Sequence, residues 1–379
     1  MELIGGIITG LFILVLLVIA HELGHAIVAR RNGVVVQEFG VGMPPRAWKK
    51  KLKNGVLFSL NWLPLGGFVK MQGENDASKK KGDYGAATFW GKTKILLSGV
   101  AVNWLVAVVL LTILALFGLP KVLSNQFSMP NDTVIISQPV EIVSVTKDYP
   151  AAKAGITAGD SIISFAGQPV PTADSFSAII KQNKGKTVTV VYSRAGSEAT
   201  INVSLKSDIS GEILGASFGQ RQKIKATWSA PIVGIVSTAQ FTWVTFQGLG
   251  DLISNLFNGL IWQLSSDSSV RDQASAELKT VSDSVAGPVG ILGTIFPEAQ
   301  KAGLTQLVFL TAIISLSLAV MNILPIPALD GGRWFMMASF KLLKKKLTAE
   351  REEKIQMIGF SVLMGLIVLV TIADVTKLF

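Results

Sequence analysis

The sequence predicts a polytopic α-helical membrane protein with four transmembrane helices, a membrane-associated β-hairpin and a small extracytoplasmic α+β domain. Three observations support this class. Hydrophobic residues make up 49% of the 379 residues and charged residues only 16%, which is too apolar for an ordinary soluble chain. Four apolar runs are long enough to cross a bilayer core of about 30 Å. A long polar region with short β-branched segments separates the second run from the third.

The four apolar runs are the candidates for transmembrane helices. The first begins at Leu3, carries no charge up to Ala20 and then reads His-Glu-Leu-Gly-His before it becomes apolar again. A cleaved signal peptide is the alternative for this run, but no Lys or Arg precedes it, whereas signal peptides begin with a positively charged segment. We assign the transmembrane helices to residues 1–30, 95–118, 306–332 and 355–373.

Basic residues are concentrated in two blocks. Residues 26–94 hold 13 Lys and Arg against 4 Asp and Glu, and residues 331–354 hold 7 against 3. Because basic loops are retained in the cytoplasm, the segments 31–94 and 333–354 are predicted to be cytoplasmic. Both termini are then extracytoplasmic in a multi-pass protein of the plasma membrane. The net charge of +10 is explained in this way, and we expect no nucleic-acid partner.

The segment Ala230–Trp262 is apolar but is interrupted by four glycines and Asp251. It is interpreted as one or two amphipathic helices on a membrane or protein surface, within an extracytoplasmic linker at 207–305. A span here would reverse the direction of the third transmembrane helix. The residues at the end of that helix would then emerge on the opposite face of the bilayer.

The polar region at 125–206 has the pattern of a small α+β domain. Segments that are rich in β-branched residues and bounded by turn residues predict strands, and two further segments predict short helices. The predicted strands are Val140–Val145, Ser161–Phe165, Thr187–Tyr192 and Thr200–Leu205, and the predicted helices are Pro150–Ala154 and Ala173–Gln182.

Both histidines of the chain, His21 and His25, belong to one His-Glu-x-x-His pattern. On a helix, positions i and i+4 share a face, so both imidazoles can reach one metal ion, while Glu22 is displaced by about 100° and can address a water on that metal. Such a short pattern also occurs by chance in large proteins, but ionisable groups inside a membrane span are costly. The pattern therefore predicts a metal site with Glu22 beside it.

A third ligand is needed, because a catalytic zinc usually takes three protein ligands and leaves one position for water. The chain has no cysteine and no further histidine, so this ligand must be a carboxylate. Asp330 is the candidate, since it follows two prolines that end the third apolar helix. An aspartate at such a position is more often a helix cap or a solvated turn residue, and spacing alone does not choose.

Five motifs make the sequence similar to the site-2 proteases, which are intramembrane zinc metalloproteases, and in particular to the bacterial members that cleave anti-sigma factors and signal-peptide remnants. The resemblance covers almost the whole chain. The motifs are His21–His25, Pro64–Met71 with Gly73-Glu74, Ser98–Asn103, Gly287–Ile291 and Asn322–Gly332. The chain departs from the family pattern at Gly42-Met-Pro-Pro45 and at Val100, neither of which touches a predicted ligand.

The resemblance implies the ligand set and the chemistry. It identifies His21, His25 and Asp330 as ligands of Zn²⁺, and Glu22 as the catalytic base that takes a proton from the attacking water and returns it to the leaving amine. The expected substrates are single-span membrane proteins or signal-peptide remnants. They would be cut within or near their transmembrane segments, in the lipid bilayer and towards its cytoplasmic side.

The polar region also carries a family signature. The stretch Tyr149–Ile163 is similar to the signature of bacterial PDZ domains, which makes 125–206 a PDZ-like domain. The resemblance implies one of two roles, a filter against substrates with bulky ectodomains or a reader of a newly exposed carboxyl terminus.

Cleavage of a helical substrate requires that it unwind, and an exposed strand edge could hold it extended. Two predicted strands, Val34–Phe39 and Val56–Leu60, resemble the membrane-associated β-hairpin of the family; an ordinary cytoplasmic hairpin is the alternative. The residues Gly66, Gly67 and Phe68 that follow would supply the edge.

Two asparagines lie in the predicted spans. The resemblance assigns Asn322 to the substrate backbone, although an intramembrane asparagine can also simply join two helices. Asn103 is expected to have a structural role only.

Two other classes of function are compatible with parts of the pattern. A membrane scaffold with a structural zinc would need four ligands and no base, which the presence of Glu22 disfavours. A metal transporter would place ionisable groups along several spans, whereas the sequence shows one cluster.

Overall fold

The computed structural model describes residues 2–75, 77–207, 213–265 and 267–376, without the side chains of residues 65 and 281–284. The helices are α1 (Glu2–Arg31), α2 (Phe89–Phe117), α3 (Pro150–Ala154), α4 (Ala173–Gln182), α5 (Ala230–Trp262), α6 (Ser268–Ser284), α7 (Pro288–Gly290), α8 (Phe296–Lys301), α9 (Leu304–Ile323), α10 (Asp330–Leu342) and α11 (Ala349–Thr376), with a π-helical turn at Ile291–Ile295. The strands are β1 (Val36–Lys51), β2 (Leu57–Met71), β3 (Leu119–Pro120), β4 (Val134–Val145), β5 (Ser161–Phe165), β6 (Gln168–Pro169), β7 (Thr187–Arg194), β8 (Ser197–Ser204) and β9 (Ala216–Lys225).

The chain forms two compact units. One is Met1–Leu114 together with Pro231–Phe379, and the other is Ala115–Ala230; we refer to them as the helical unit and the α+β unit.

Within the described ranges, four helices are long and apolar enough to cross a membrane, namely α1, α2, α9 and α11. They overlap the four predicted spans, although α9 ends at Ile323 and not at residue 332, because the chain turns before α10 begins at Asp330. The predicted class of four apolar helices combined with β-sheets is confirmed at this level. The segment Ala230–Trp262 is one continuous helix of 33 residues, α5, and it is not among these four.

Helix α1 packs closely on the short helix α8 through glycines. A Cβ atom at Gly6 would lie 2.5 Å from Cα of Pro297, and a Cβ atom at Gly10 would lie 2.5 Å from the ring of Phe296. Phe296 is fully buried. The glycines in the first half of α1 therefore give the helix a close partner, and the second half carries the histidines.

Strands β1 and β2 are longer than the predicted hairpin strands and form more than a simple hairpin. The first part of β1, residues 36–41, pairs with residues 67–71 of β2 on one side and with residues 57–60 of β2 on the other. The second part of β1, residues 46–51, also pairs with residues 57–61. The segment Gly67–Met71 is consequently an outer edge of this sheet within the described part of the chain.

The α+β unit contains an antiparallel sheet in the order β3-β9-β4-β5-β7-β8, with β6 paired to β5. Helices α3 and α4 have the bounds that the sequence predicts. Strand β9, however, lies beyond the predicted domain boundary at residue 206, in the segment expected to be a linker. It belongs to this unit because it pairs along β4 from Val134↔Lys225 to Val145↔Ala216.

An ion pair between a buried carboxylate and an exposed guanidinium fastens the α+β unit. The Asp160 side chain is inaccessible to solvent and accepts two hydrogen bonds of 2.7 Å from the Arg194 guanidinium, which also donates to the backbone oxygen of Gly155 at 2.8 Å. Burial by itself raises the pKa of Asp160, but the hydrogen bonds from Arg194 and from the backbone of Thr157 outweigh it. The pKa of this carboxyl therefore lies below its ordinary value.

Arg194→Gln is expected to destabilise the α+β unit at neutral pH by clearly more than the matched control below, because the buried Asp160 carboxylate loses its charged partner. The pKa of Asp160 is lower in the folded chain than in the unfolded chain. The stabilisation is therefore complete above the unfolded pKa and is lost as the pH falls through the folded pKa. The difference between wild type and variant should shrink below about pH 4. The free energy of unfolding is measured by urea denaturation of the full-length chain, with hydrogen exchange of the β5 amides as the probe.

The matched control is Arg221→Gln, since Arg221 is exposed and lies 3.7 Å from Glu141. Exposed pairs contribute little, and a change below about 1 kcal/mol is expected. An effect of Arg194→Gln no larger than that of the control would contradict the assigned role of the Asp160–Arg194 pair.

Residues 333–354, predicted to be a loop, contain most of α10. The helix buries Gly331, Gly332, Met336 and Met337, of which positions 332 and 336 share a face by helical periodicity. The prediction from charge alone overlooked this pattern.

Candidate metal centre

The two histidines of α1 and the carboxylate at the start of α10 meet at one point. The Nε2 atoms of His21 and His25 are 3.2 Å apart, and Oδ2 of Asp330 lies 3.1 Å from the first and 3.2 Å from the second. Both histidines are buried. Three atoms that carry lone pairs thus form a nearly equilateral triangle.

The loop between α9 and α10 delivers Asp330 to this triangle. Helix α9 ends at Ile323, and the chain then turns back so closely that a Cβ atom at Gly332 would lie 1.9 Å from the backbone oxygen of Ile326. Ala328 adopts a positive φ of 78°, and its N–H donates to Oε1 of Gln356 on α11 at 2.6 Å. The loop is therefore packed against the glycines at the start of α10 and held by α11.

The donor set fits a zinc ion. Bonds of about 2.0–2.1 Å in a tetrahedral site place neighbouring ligand atoms about 3.3 Å apart, close to the observed 3.1–3.2 Å. Oδ2 of Asp330 is buried and accepts no hydrogen bond other than what the histidines could offer. A carboxylate oxygen facing imidazole lone pairs at this distance needs a cation between them.

Helix α2 orients His25. Nδ1 of His25 donates to the backbone oxygen of Ile95 at 2.7 Å, and the Ser98 hydroxyl donates to the same oxygen at 2.6 Å. Because Nδ1 carries the proton, the neutral ring keeps the lone pair of Nε2 for a metal. Such a contact to the second ring nitrogen is typical of metal-binding histidines.

Asn103 of α2 lies beside His21. Its amide is 3.3 Å from Nδ1 of His21, and its Oδ1 is buried without a partner when Nδ2 faces the ring. Rotating the Asn103 amide by 180° makes its Oδ1 the acceptor for the proton on Nδ1 of His21, so that Oδ1 and Nδ1 both have a hydrogen-bond partner. The backbone oxygen of Asn103 accepts from Ser315 of α9 at 2.8 Å. Asn103 therefore joins α2 to α9, as its predicted structural role requires, and it also contacts a predicted ligand, which was not predicted.

Gly99 lies directly against both histidine rings. A Cβ atom there would be 2.4 Å from Nε2 of His25 and 2.7 Å from Nε2 of His21. Only glycine leaves room for the ring nitrogens at this position. The sequence contained the signal, since Gly99 and Asn103 belong to one of the motifs shared with the site-2 proteases.

Glu22 faces the edge of the small sheet. The Cγ atom of Glu22 is 3.4 Å from the Cβ position of Gly67, and its carboxylate accepts a hydrogen bond from the backbone of Val69. Gly67 and Val69 both belong to the outer segment Gly67–Met71 of β2. The predicted base thus lies between the three predicted ligands and an open strand edge.

The remaining predicted substrate-binding residues are placed differently. Gly66 has a positive φ of 82°, which glycine accommodates, and the Phe68 ring packs over Gly40 of β1. The Asn322 amide donates to the backbone oxygen of Leu318, one turn earlier in α9, at 3.0 Å. In this structure the amide nitrogen of Asn322 therefore serves its own helix.

Comparison with known proteins identifies one family across the chain. Residues 9–366 match the family model of peptidase family M50. A Clostridium perfringens protein, provisionally named a zinc metalloprotease, is 32% identical over 360 residues, which cover 95% of each chain.

Two proteins named RasP are also similar. The Geobacillus kaustophilus protein, a zinc metalloprotease by name, is 25% identical over 458 residues, covering 100% of this chain and 99% of its own. The Bacillus subtilis protein, named regulator of sigma-W protease, is 24% identical over 446 residues and 96% of each chain. Among solved structures, a PDZ domain of an SdrC-like Listeria monocytogenes protein covers 24% of this chain and 93% of its own at 23% identity, with a TM-score of 0.20.

Proposed function

Because the chain belongs to peptidase family M50, the site-2 proteases, and is a zinc metalloprotease of the membrane, we propose that it hydrolyses peptide bonds within or near the transmembrane segments of other membrane proteins. One observation carries the proposal. His21, His25 and Asp330 converge on one point. The two histidines belong to α1, a helix apolar enough to span a bilayer, and Asp330 follows a second such helix, α9. A protease centre built at this depth meets substrates that lie in the membrane.

His21, His25 and Asp330 are proposed to hold the zinc and to leave a fourth position open. Bound zinc supplies Lewis acidity, which lowers the pKa of water and polarises a carbonyl oxygen. Glu22 takes the proton of the attacking water and carries it to the nitrogen of the leaving amine. The Val69 N–H that meets the Glu22 carboxylate keeps the base directed along the strand edge.

The outer segment Gly67–Met71 is proposed to hold the substrate extended. An added strand exposes its peptide bonds, which a helix hides in its internal hydrogen bonds. The contact of this segment with Glu22 supports the proposal, because a strand bound there runs past the base. Gly66, Gly67 and Phe68 remain the proposed substrate residues, and a role for Asn322 requires its amide to leave Leu318.

The proposed orientation follows the basic blocks at 26–94 and 331–354, which place the metal centre towards the cytoplasm and both termini outside the plasma membrane. The α+β unit is then extracytoplasmic, and we propose that it acts as a PDZ-like filter or reader. The name of the Bacillus subtilis relative supports a substrate of the anti-sigma class, and signal-peptide remnants are the alternative.

Mapping the cut in a reporter with one membrane span tests this function. Full-length wild type in vesicles is expected to cleave inside the span or within a few residues of it, as the mass of the fragments will show. Asp330→Asn should lower cleavage by more than about 100-fold, the upper end of what the loss of a supporting residue costs at a metal site. Asp251→Asn, an exposed position of α5, is the matched control and should cleave normally. Cutting confined to soluble segments would overturn the proposal.

Asn103→Ala is expected to weaken zinc binding by about 10–100-fold, because loss of a partner on the second ring nitrogen costs that much. Zinc affinity is measured by competition with a chromophoric chelator, in the same detergent as wild type. Asn103→Asp keeps an acceptor for the Nδ1 proton of His21 and should retain more affinity than Asn103→Ala. Equal affinities for wild type and Asn103→Ala would show that the amide does not orient His21.

A further inference from the structure

The outer segment Gly67–Met71 directs its backbone groups to two sides in alternation. In an antiparallel strand, successive residues point their N–H and C=O groups in opposite directions. The N–H of Gln72 donates to the backbone oxygen of Val35 at 2.9 Å, and Val35 immediately precedes β1. The amides of Met71 and Val69, one and three residues earlier, therefore point away from β1, to the edge where the substrate strand is proposed to bind.

Two carboxylates accept hydrogen bonds from these outward amides. The Val69 N–H donates to the Glu22 carboxylate, and the Met71 N–H donates to Oε1 of Glu74 at 2.6 Å. Each carboxylate oxygen lies where the carbonyl oxygen of an added strand would lie, because strand addition pairs with the free amides of an edge. A substrate strand must therefore displace the Glu74 carboxylate before it can pair with Met71.

Glu74 is held from the helix that carries the aspartate of the metal centre. Its backbone oxygen accepts a hydrogen bond from the Arg333 guanidinium, and Arg333 lies in the first turn of α10, three residues after Asp330. The same guanidinium lies 4.5 Å from the ring centroid of Tyr84 and 3.2 Å from the Glu352 carboxylate of α11. The position of Glu74 is thus fixed relative to the predicted ligand Asp330.

The end of the available edge limits the register of a bound strand. Registers that keep the same side chains on the same face differ by two residues, because a step of one residue turns every side chain over. Two residues of strand measure about 7 Å, whereas a displacement of about 1 Å already disturbs a reacting geometry. One such step therefore brings a different peptide bond to the metal centre.

We propose that Glu74 is a specificity-determining residue, which ends the substrate-binding edge before Met71 and thereby selects the peptide bond that is cut. The proposal rests on the proposed addition of the substrate to the outer segment Gly67–Met71. It concerns the register of the substrate rather than the chemistry, so zinc content and the need for Glu22 should not depend on Glu74.

Fragment masses from the single-span reporter test the register. Glu74→Ala is expected to raise the share of product cut two residues from the main site by about 2–10-fold, because the shifted strand gains one hydrogen bond. Glu74→Gln keeps an acceptor oxygen for the Met71 N–H and should cut where wild type cuts. Residue 74 is exposed, so both variants should fold. Glu350→Ala, exposed in the first turn of α11, removes the same charge and is the matched control.

Hydrogen exchange of the full-length protein in detergent, without substrate, gives a second measurement that needs no cleavage. The Met71 amide is expected to exchange about 2–10-fold faster in Glu74→Ala than in wild type, and Glu74→Gln should stay close to wild type. Unchanged exchange or an unchanged cleavage pattern in Glu74→Ala would overturn the proposal, as would an equal shift in Glu74→Gln or Glu350→Ala. Wild-type cleavage confined to soluble segments would instead contradict the proposed function.

Discussion

Replacing Glu22 by glutamine is expected to abolish proteolysis and to leave zinc bound at one ion per chain. Glutamine has almost the same shape but cannot accept the proton of the attacking water, and general base catalysis contributes about 10²–10⁴-fold to the rate. Glu22 contributes none of the three atoms that converge on the metal position, so the affinity for zinc should change little.

The measurement combines zinc content by elemental mass spectrometry with cleavage of the single-span reporter. Glu350→Gln, at an exposed position in the first turn of α11, is the control and should behave like wild type in both assays. Retention of cleavage within about threefold of wild type would remove Glu22 from the role of base, since that is far below the contribution of a general base. Loss of zinc together with cleavage would instead place Glu22 among the ligands.

Gly99→Ala is expected to weaken zinc binding and activity together. The added methyl group would lie 2.4 Å and 2.7 Å from the two Nε2 atoms that converge on the metal position. His25 cannot turn away without breaking its hydrogen bond to the Ile95 backbone oxygen. Overpacking of a rigid site costs about 1–3 kcal/mol, so the affinity for zinc should fall by about tenfold or more.

The control for this change is Gly365→Ala in α11, where no atom of the described residues lies within 4 Å of the Cβ position. It is expected to keep full zinc content and activity. Thermal unfolding of all three proteins, with and without a chelator, reads out zinc independently of cleavage. Gly99→Ala should lose the stabilisation that zinc provides at a chelator concentration about tenfold or more below that needed for wild type and for Gly365→Ala. An unchanged affinity for zinc in folded Gly99→Ala would contradict the proposed packing.

The four apolar helices could be predicted because a helix that crosses about 30 Å of bilayer hydrocarbon needs a long uncharged run in the sequence. The pairing of His21 with His25 could be predicted for a related reason. Helical periodicity places positions i and i+4 on one face whatever the rest of the chain does. These features are local, and the residues that define them are neighbours in the sequence.

Strand β9 and helix α10 show where local patterns were insufficient. Strand β9 belongs to the α+β unit because it pairs along β4, about 80 residues earlier in the sequence, and no property of residues 216–225 alone requires this. The basic residues after Asp330 suggested a loop, whereas the buried methionines of α10 stabilise a helix by packing.

The sequence alone determined the class of the protein, its four apolar helices and the residue types of a candidate metal centre, because hydropathy and helical spacing act over short distances along the chain. Only the tertiary structure decided which atoms meet. Asp330 reaches the histidines because a tight loop and α11 hold it there, and Gly99 and Asn103 matter because α2 lies against α1. Contacts between residues 70 or more positions apart depend on packing geometry, which a single sequence does not display.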